Sequence, residues 1–414
     1  MRTAIVGGGA AGLMAAATLL DADPGAEVFL LERNDGLGKK VIISGGGRCN
    51  VTTGILDVRT VLTKYPRGSK FLSSAMFTFP PEAVQSWFEA KGVPLKTEED
   101  LRVFPVSNDG RDVVRAFERL FETPRMHILL KTHVTGVGRR PEGGFAVRMK
   151  GRPEPLAVDK VVLTTGGQAY RHTGSTGDGY AFAMSLGHSL TPLAPALNAF
   201  FTRERWPADV SGLSFPKAGI AARRGKGFSF TGPFLFTHKG VSGPAVFALS
   251  SLVAFERYDL ESPLEITIDL FPDLAPEALR KRIGERITES PAKIFRNVLA
   301  TVVPKSLADI CVREAALPGE TRGDQVPKAD LLRCVAWLKG IPLHVVQRGG
   351  GDEFVTAGGI PLSEVDPSTM ESKLCPGLYF SGEILDIDGF TGGFNLQASW
   401  ATGHLAGESI AAAK

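Results

Sequence analysis

The hydrophobic pattern of this chain changes period several times, and each change marks an element. Thr3-Ala4-Ile5-Val6 is a short apolar run that predicts a buried strand, and Leu13 to Leu20 continues as an alanine-rich helix with few polar side chains. A second strand runs from Glu27 to Leu31. Residues 80–90 and 111–121 carry helical periodicity. The first has Pro81 near its start and Gly92 as its stop, and the second follows an Asn108-Asp109-Gly110 turn. Strands are expected over 126–131, 134–137 and 145–149. Lys160 to Thr165 is a continuous apolar strand of the kind buried on both faces of a parallel sheet, and it ends on Gly166-Gly167, where a ligand can approach.

Near Thr191 the composition shifts toward proline, phenylalanine and basic residues. Short strand-like runs such as 264–270 come first, and helical runs over 276–287 and 329–339 come later. The strand pattern returns at 377–383 and a helix closes the chain over 397–413. The whole reads as an α/β protein built on a discontinuous Rossmann-like domain, 1–190 with 345–414. It is interrupted by a β-rich insertion over 191–270 and a helical one over 271–344. No tandem repeat or low-complexity tract is evident.

The chemistry starts where the first strand meets the first helix. Gly7, Gly9 and Gly12 form G-x-G-x-x-G, serving a tight turn, close backbone approach to a pyrophosphate, and close packing of helix on strand. Free N–H groups and the dipole at the helix start attract phosphate. Glu32 ends the second strand twenty residues beyond Gly12, where a carboxylate meets an adenosine ribose hydroxyl. Together these predict dinucleotide binding. The run Gly45-Gly46-Gly47-Arg48-Cys49-Asn50 loses too much backbone entropy to be a stable helix or central strand, so it predicts a loop held by what it binds. Arg48 would lie against a phosphate or a flavin edge, and Asn50 would hydrogen-bond to either. Gly389 to Leu396 again starts a helix on glycine. Against a flavin, that helix dipole would stabilise negative charge on the reduced ring and raise its reduction potential.

Composition narrows the alternatives. The chain has 414 residues, room for two or three domains, and its 43% hydrophobic and 22% charged content is ordinary for a globular protein. A net charge of +3, from 47 basic and 44 acidic residues, argues against nucleic acid or an anionic membrane as partner. Cys49, Cys311, Cys334 and Cys375 are widely separated and show no metal-ligand or redox-pair spacing, so no metal site is expected. A strand beginning at Thr3 leaves no room for a signal peptide, and apolar runs such as 246–255 are too short to span a bilayer. A reduced, cytoplasmic setting is the expectation. Oligomeric state is not readable from the sequence.

Several blocks resemble the YhiN/BaiN-like family of FAD-binding flavoproteins, NAD(P)/FAD-dependent oxidoreductases also called aminoacetone oxidases. They are Val6 to Gly12, Gly38-Lys39-Lys40 with Ser44 to Asn50, Leu235 to Pro244 with its Phe-Thr-His and Ser-Gly-Pro, Val355 to Ile360, and Gly377 to Asn395. The resemblance implies a glutathione-reductase-like FAD domain interrupted by a β-barrel-like part and a helical part. It implies that Gly7, Gly9, Ala11, Gly12 and Glu32 hold the ADP half of FAD, with Arg33 flanking adenine and Val134 meeting it through its backbone. The loop Gly45, Gly46, Gly47, Arg48, Cys49 and Asn50 would approach the flavin or pyrophosphate, and Lys40, Thr165 and Gly166 are further expected cofactor-binding residues. Gly382 and Glu383 would sit near the ribitol, where many relatives carry aspartate. Gly393, Asn395 and Leu396 would sit near the pyrimidine end. After Gly167 the chain departs from the family pattern, reading Gln168-Ala169-Tyr170-Arg171-His172, which bears on substrate choice.

A flavin carries the redox chemistry, so the protein mainly positions its partner. His238, Tyr170 and His172 are the candidates for proton transfer: His238 in a turn-like block of the insertion, the other two beyond a glycine-ended strand. His404 reads as packing or surface, and Cys49 as a small residue lining the pocket. The expected activity is FAD-dependent oxidoreduction of a small organic substrate, with NAD(P)H-driven reduction of an activated C=C bond as its specific form and O2 as an alternative redox partner. A flavin-based redox sensor without turnover is the alternative from another class. An FAD-dependent tRNA-modifying enzyme is a third, which the balanced charge disfavours.

Overall fold

Five short apolar strands pair in parallel in the order Leu378–Phe380, Lys160–Leu163, Arg2–Val6, Glu27–Leu31 and Met126–Leu129. The register sets Ile5 between Val162 and Leu30, and Leu163 beside Phe380. In the first four of these strands the side chains beyond the first polar residue are buried on both faces, which is why they read as apolar runs, whereas the edge strand Met126–Leu129 leaves Ile128 exposed. The computed structural model describes residues 1–223, 227–349 and 354–413. Its contacts divide the chain into two units, Met1–Ala196 with Glu353–Lys414, and Leu197–Asp352.

In the first unit the helix Ala10–Ala22 is buried from Ala10 to Leu20. The final helix, Phe394–Ala412, lies directly on it. A Cβ at Gly403 would stand 2.5 Å from the Ala11 carbonyl oxygen, so the two backbones touch only because that side chain is missing. Three antiparallel pieces complete the unit. They are Val134–Arg139 with Phe145–Met149 and Leu156–Val158, Thr52–Thr53 with Arg102–Pro105 and Leu95–Thr97, and Ala194–Ala196 with Val355–Ala357. No helix among the described residues is long and apolar enough to cross a membrane.

His404 lies within that final helix and is a packing residue. Its ring stacks on Phe79 at 4.2 Å, and Nδ1 is 3.0 Å from Thr18 Oγ1. Burial lowers its pKa below the ordinary 6.5, with Glu408 opposing the shift. The folded state therefore prefers the neutral ring, while the unfolded chain takes up a proton near the ordinary value. Stability present above the unfolded pKa is lost as pH falls through it. Thermal midpoints should drop between pH 7 and about 5.5 in the native protein, and His404→Gln should flatten that drop. Equal slopes in the two proteins would remove this assignment.

The second unit is built on a closed antiparallel barrel of six strands. Phe200–Thr202, Gly240–Ser242, Phe228–Thr237, Ser214–Ala222, Leu264–Asp269 and Ile341–Arg348 follow one another around it, and the last pairs back to the first. Strands buried on one face alternate, so Leu264, Ile266 and Ile268 point inward with Ile341, Leu343 and Val345 opposite them. Helices Pro276–Glu289, Phe295–Leu299, Lys305–Glu314 and Lys328–Leu338 are spliced in before the closing strand. They bring Cys311 and Cys334 to 3.8 Å between sulfurs despite their separation in sequence, and contact with Cys334 together with burial pushes the Cys311 thiol up.

Candidate functional site

The C-terminal edge of the parallel sheet gathers most of the residues singled out above. Gly7 leaves the first strand against the next: a Cβ there would lie 2.5 Å from the Thr164 carbonyl oxygen. Gly12 is tighter still, with a Cβ 2.0 Å from the Gly7 carbonyl oxygen and 2.7 Å from Thr164 Oγ1. Thr164 itself donates to the carbonyls of Val6 and Gly7 at 3.0 and 2.8 Å, locking the turn. Gly9, the N-cap of the helix, is the opposite case, since a Cβ there would meet nothing within 4 Å. Two glycines thus close the turn against protein and the middle one leaves an open face at the helix N-terminus, the arrangement a pyrophosphate needs.

Glu32 is buried at the end of its strand. Oε2 accepts from Gly8 N–H at 2.8 Å, and Oε1 accepts from Asn34 backbone and side-chain N–H groups at 2.8 and 2.7 Å. The same stretch leads to Arg33, whose Nη1 donates to Thr176 Oγ1 at 2.6 Å and pairs with Asp178 at 3.2 Å. Val134 is buried at the start of its strand, two residues after Thr132, whose N–H donates to the Glu32 carbonyl at 2.9 Å.

The glycine-rich loop is a left-handed turn. Gly45, Gly46 and Gly47 have φ of 59°, 72° and 88°. Gly45 packs against Asn50 and Phe104, whereas a Cβ on Gly46 or Gly47 would meet nothing within 4 Å. Open faces at Gly9, Gly46 and Gly47 are the features of this unit that fit FAD. Arg48 turns to Glu98 at 2.7 Å and lies 3.8 Å from the Phe104 ring centroid, so its charge is held by protein groups. Cys49 is fully buried, and burial pushes its thiol up to about 12, which keeps it protonated and inert as a nucleophile. Asn50 Oδ1 accepts from Val103 N–H at 3.2 Å.

A second group forms beyond the strand Lys160–Leu163. Lys40 Nζ pairs with Glu383 Oε2 at 2.6 Å, and Glu383 Oε1 accepts from Thr356 N–H at 2.8 Å. Thr356 Oγ1 accepts from the N–H groups of Gln168 and Ala169 at 2.7 and 3.1 Å. That fixes the chain just before Tyr170, which takes a left-handed φ of 56°. Its ring lies 5.8 Å from His172 and 5.9 Å from Lys40 Nζ. Thr165 Oγ1, under Gly179 and beside Gly166, is buried with no hydrogen-bond partner. His238 belongs to the barrel unit, exposed at the turn after Phe228–Thr237, with Nδ1 2.9 Å from Ser211 Oγ.

The closing segment is strapped down by residues that sequence reading passed over. Arg67 Nε and Nη2 donate to the two carboxylate oxygens of fully buried Asp388. Tyr65 OH donates to the Phe394 carbonyl at 2.6 Å, and Phe390 N–H to the Lys64 carbonyl at 2.9 Å. Asn395 clamps Gly389 through both its N–H and its carbonyl, each at 2.8 Å, and Leu396 packs half-buried on the core. Gly393, with a Cβ position 2.3 Å from the Thr52 carbonyl oxygen, then starts the helix. Gly382 N–H donates to Thr402 Oγ1 at 3.0 Å, and a Cβ on Gly382 would press on Ala11 at 2.9 Å. Nothing local in Tyr65-Pro66-Arg67 marks it as the partner of a segment so far along the chain. Asp388→Asn should cost about 3 kcal/mol, because the Arg67 guanidinium loses the buried negative charge that accepts from its Nε and Nη2. A denaturant midpoint unchanged from the native protein would contradict this.

Fold and cradle together define an FAD-binding flavoprotein. A model of the family described as HI0933-like protein Rossmann domain matches residues 1–409, and the chain belongs to that family. It is similar to the 3-dehydro-bile acid delta(4,6)-reductase of Clostridium scindens, 30% identical with 99% of each chain covered. It is also similar to the ribosomal RNA dihydrouridine synthase of Escherichia coli, 27% identical over 99% of this chain and 98% of that one. Among solved structures, 3-ketosteroid delta1-dehydrogenase from Sterolibacterium denitrificans shares the fold, with a TM-score of 0.52 and 14% identity over 100% and 99% of the two chains. The protein is an FAD-dependent oxidoreductase.

Proposed function

We propose that this protein adds hydride and proton across a C=C bond conjugated to a carbonyl, with NAD(P)H as the source of the hydride. The observation that carries this reading is the Tyr170 cluster: a phenol in a left-handed backbone position, beside His172 and the Lys40–Glu383 pair, at the sheet edge that carries the FAD cradle. FAD, when bound, supplies hydride acceptance and donation. The side chains supply the rest. Tyr170 OH gives its proton to the carbon next to the carbonyl, and Lys40, 5.9 Å from the ring, places positive charge where phenolate develops. His172, whose ring centroid lies 5.8 Å from that of Tyr170, takes the role of returning the proton in this reading.

The names of the two relatives support the reading, because delta(4,6) reduction of a 3-dehydro bile acid and formation of dihydrouridine both saturate a ring C=C conjugated to a carbonyl. The substrate class proposed here is a small cyclic enone. A uracil base in RNA is the second reading, favoured by the likeness to the Escherichia coli protein. Anaerobic titration of FAD-loaded protein with NADPH and then NADH tests the donor: bleaching with one of them is expected. Product analysis with a 3-oxo-4-ene steroid and with a uridine-containing RNA then separates the substrates. Flavin that stays oxidised with both nucleotides would remove the reductase reading and leave an oxidase or a redox sensor.

A further inference from the structure

We propose that a pocket on the barrel unit binds a nucleotide through a phosphate monoester. The pocket is about 370 Å³ and is lined by Phe201, Glu204, Arg205, His238 and Lys239 among others. Its charges are unbalanced. Glu204 is its acid, and both of the Glu204 oxygens are engaged by one residue: Oε1 lies 2.6 Å from His344 Nδ1 and Oε2 accepts from His344 N–H at 2.9 Å. Arg205 and Lys239 have no carboxylate or hydrogen-bond partner for their side chains among the described residues.

These groups stand on anchored backbone. Arg205 immediately precedes the turn Trp206–Val210, whose Trp206, Pro207 and Val210 are buried. His238 and Lys239 form the tight connection between strands Phe228–Thr237 and Gly240–Ser242, and the Lys239 carbonyl accepts from Thr202 N–H at 2.9 Å. Lys239 Nζ sits 5.2 Å from the Phe201 ring centroid. Ser211 Oγ lies 2.9 Å from His238 Nδ1, and in the tautomer that accepts there Nε2 carries the proton and is a donor. Two unpaired cations and an imidazole donor at one concavity suit a dianion bearing several acceptor oxygens. Phe201 adds an aromatic surface for a base or ribose. The small concave volume suits one nucleotide, whereas a nucleic-acid strand needs a longer track of cations.

The physiological occupant follows from the NAD(P)H-driven reading and rests on it: the 2′-phosphate of NADPH, with free phosphate as the other source of the same chemistry. Binding can be measured without turnover. Calorimetric titration of FAD-loaded protein with 2′,5′-ADP, with 5′-AMP and with inorganic phosphate should give about ten-fold tighter binding of 2′,5′-ADP than of 5′-AMP. The double variant Arg205→Ala/Lys239→Ala should abolish that preference, and Arg205→Glu should do the same by reversing one charge. Equal affinity for the two nucleotides, or a preference that survives both variants, overturns the site. Binding of inorganic phosphate alone, or of an oligoribonucleotide in preference to 2′,5′-ADP, overturns the nucleotide assignment. If the 2′,5′-ADP preference holds while NADPH leaves the flavin oxidised, the pocket stands and the proposed reaction fails.

Discussion

Gly12→Ala is expected to give a protein that is purified without its yellow colour. The added Cβ would stand 2.0 Å from the Gly7 carbonyl oxygen and 2.7 Å from Thr164 Oγ1, and both belong to a turn locked by Thr164. Relief requires helix and strand to part, and overpacking of this kind costs about 1–3 kcal/mol. Charged against FAD binding, that is a loss of roughly ten- to a hundred-fold in affinity. Gly9→Ala is the informative companion. Its Cβ would point into open space, so the apo-protein should melt at the native temperature while FAD retention still falls. FAD content near one per chain in both variants would mean that this turn does not face the cofactor.

Tyr170→Phe should separate the two halves of the proposed reaction. Reduction by NAD(P)H needs no phenolic proton, so the rate of flavin bleaching should be unchanged. Saturation of the C=C bond should slow by about 10²- to 10⁴-fold, the usual contribution of a positioned general acid. A left-handed φ of 56° on a bulky residue costs on the order of 1 kcal/mol, which the Thr356 hydrogen bonds to Gln168 and Ala169 help to maintain. If both rates fall together, Tyr170 shapes the pocket and another group carries the proton.

What was legible in the sequence was local. The strand, turn and helix around Gly7 to Gly12 and the carboxylate at Glu32 are set by spacing within one βαβ unit, so glycine positions and apolar runs specify them directly. The same holds for the left-handed loop at Gly45 to Gly47, where the residue type itself announces the backbone. Long-range pairings were not legible. Arg48 reads as a phosphate ligand until the fold sets Glu98 and Phe104 around it. Arg67 and Asp388 carry no mutual signal, and neither do Cys311 and Cys334, because an isolated antiparallel bridge between distant loops joins the first pair and helix packing the second. The closing barrel strand Ile341–Arg348 alternates buried apolar residues with more exposed ones, but a long helical stretch separates it from the strands it joins.

That interrupted barrel and the late sheet strand also set a timetable. A chain emerging from the ribosome cannot close the barrel until Ile341–Arg348 is made. The first strands wait longer, because Lys160–Leu163 acquires its outer neighbour only at Leu378–Phe380. Until then the sheet exposes an unpaired edge, a state prone to pairing with other chains. The helix Phe394–Ala412, which packs on Ala10–Ala22, is made after every strand of the sheet. The helix that starts at the open Gly9 turn therefore stays uncovered on that side until the barrel unit has been made.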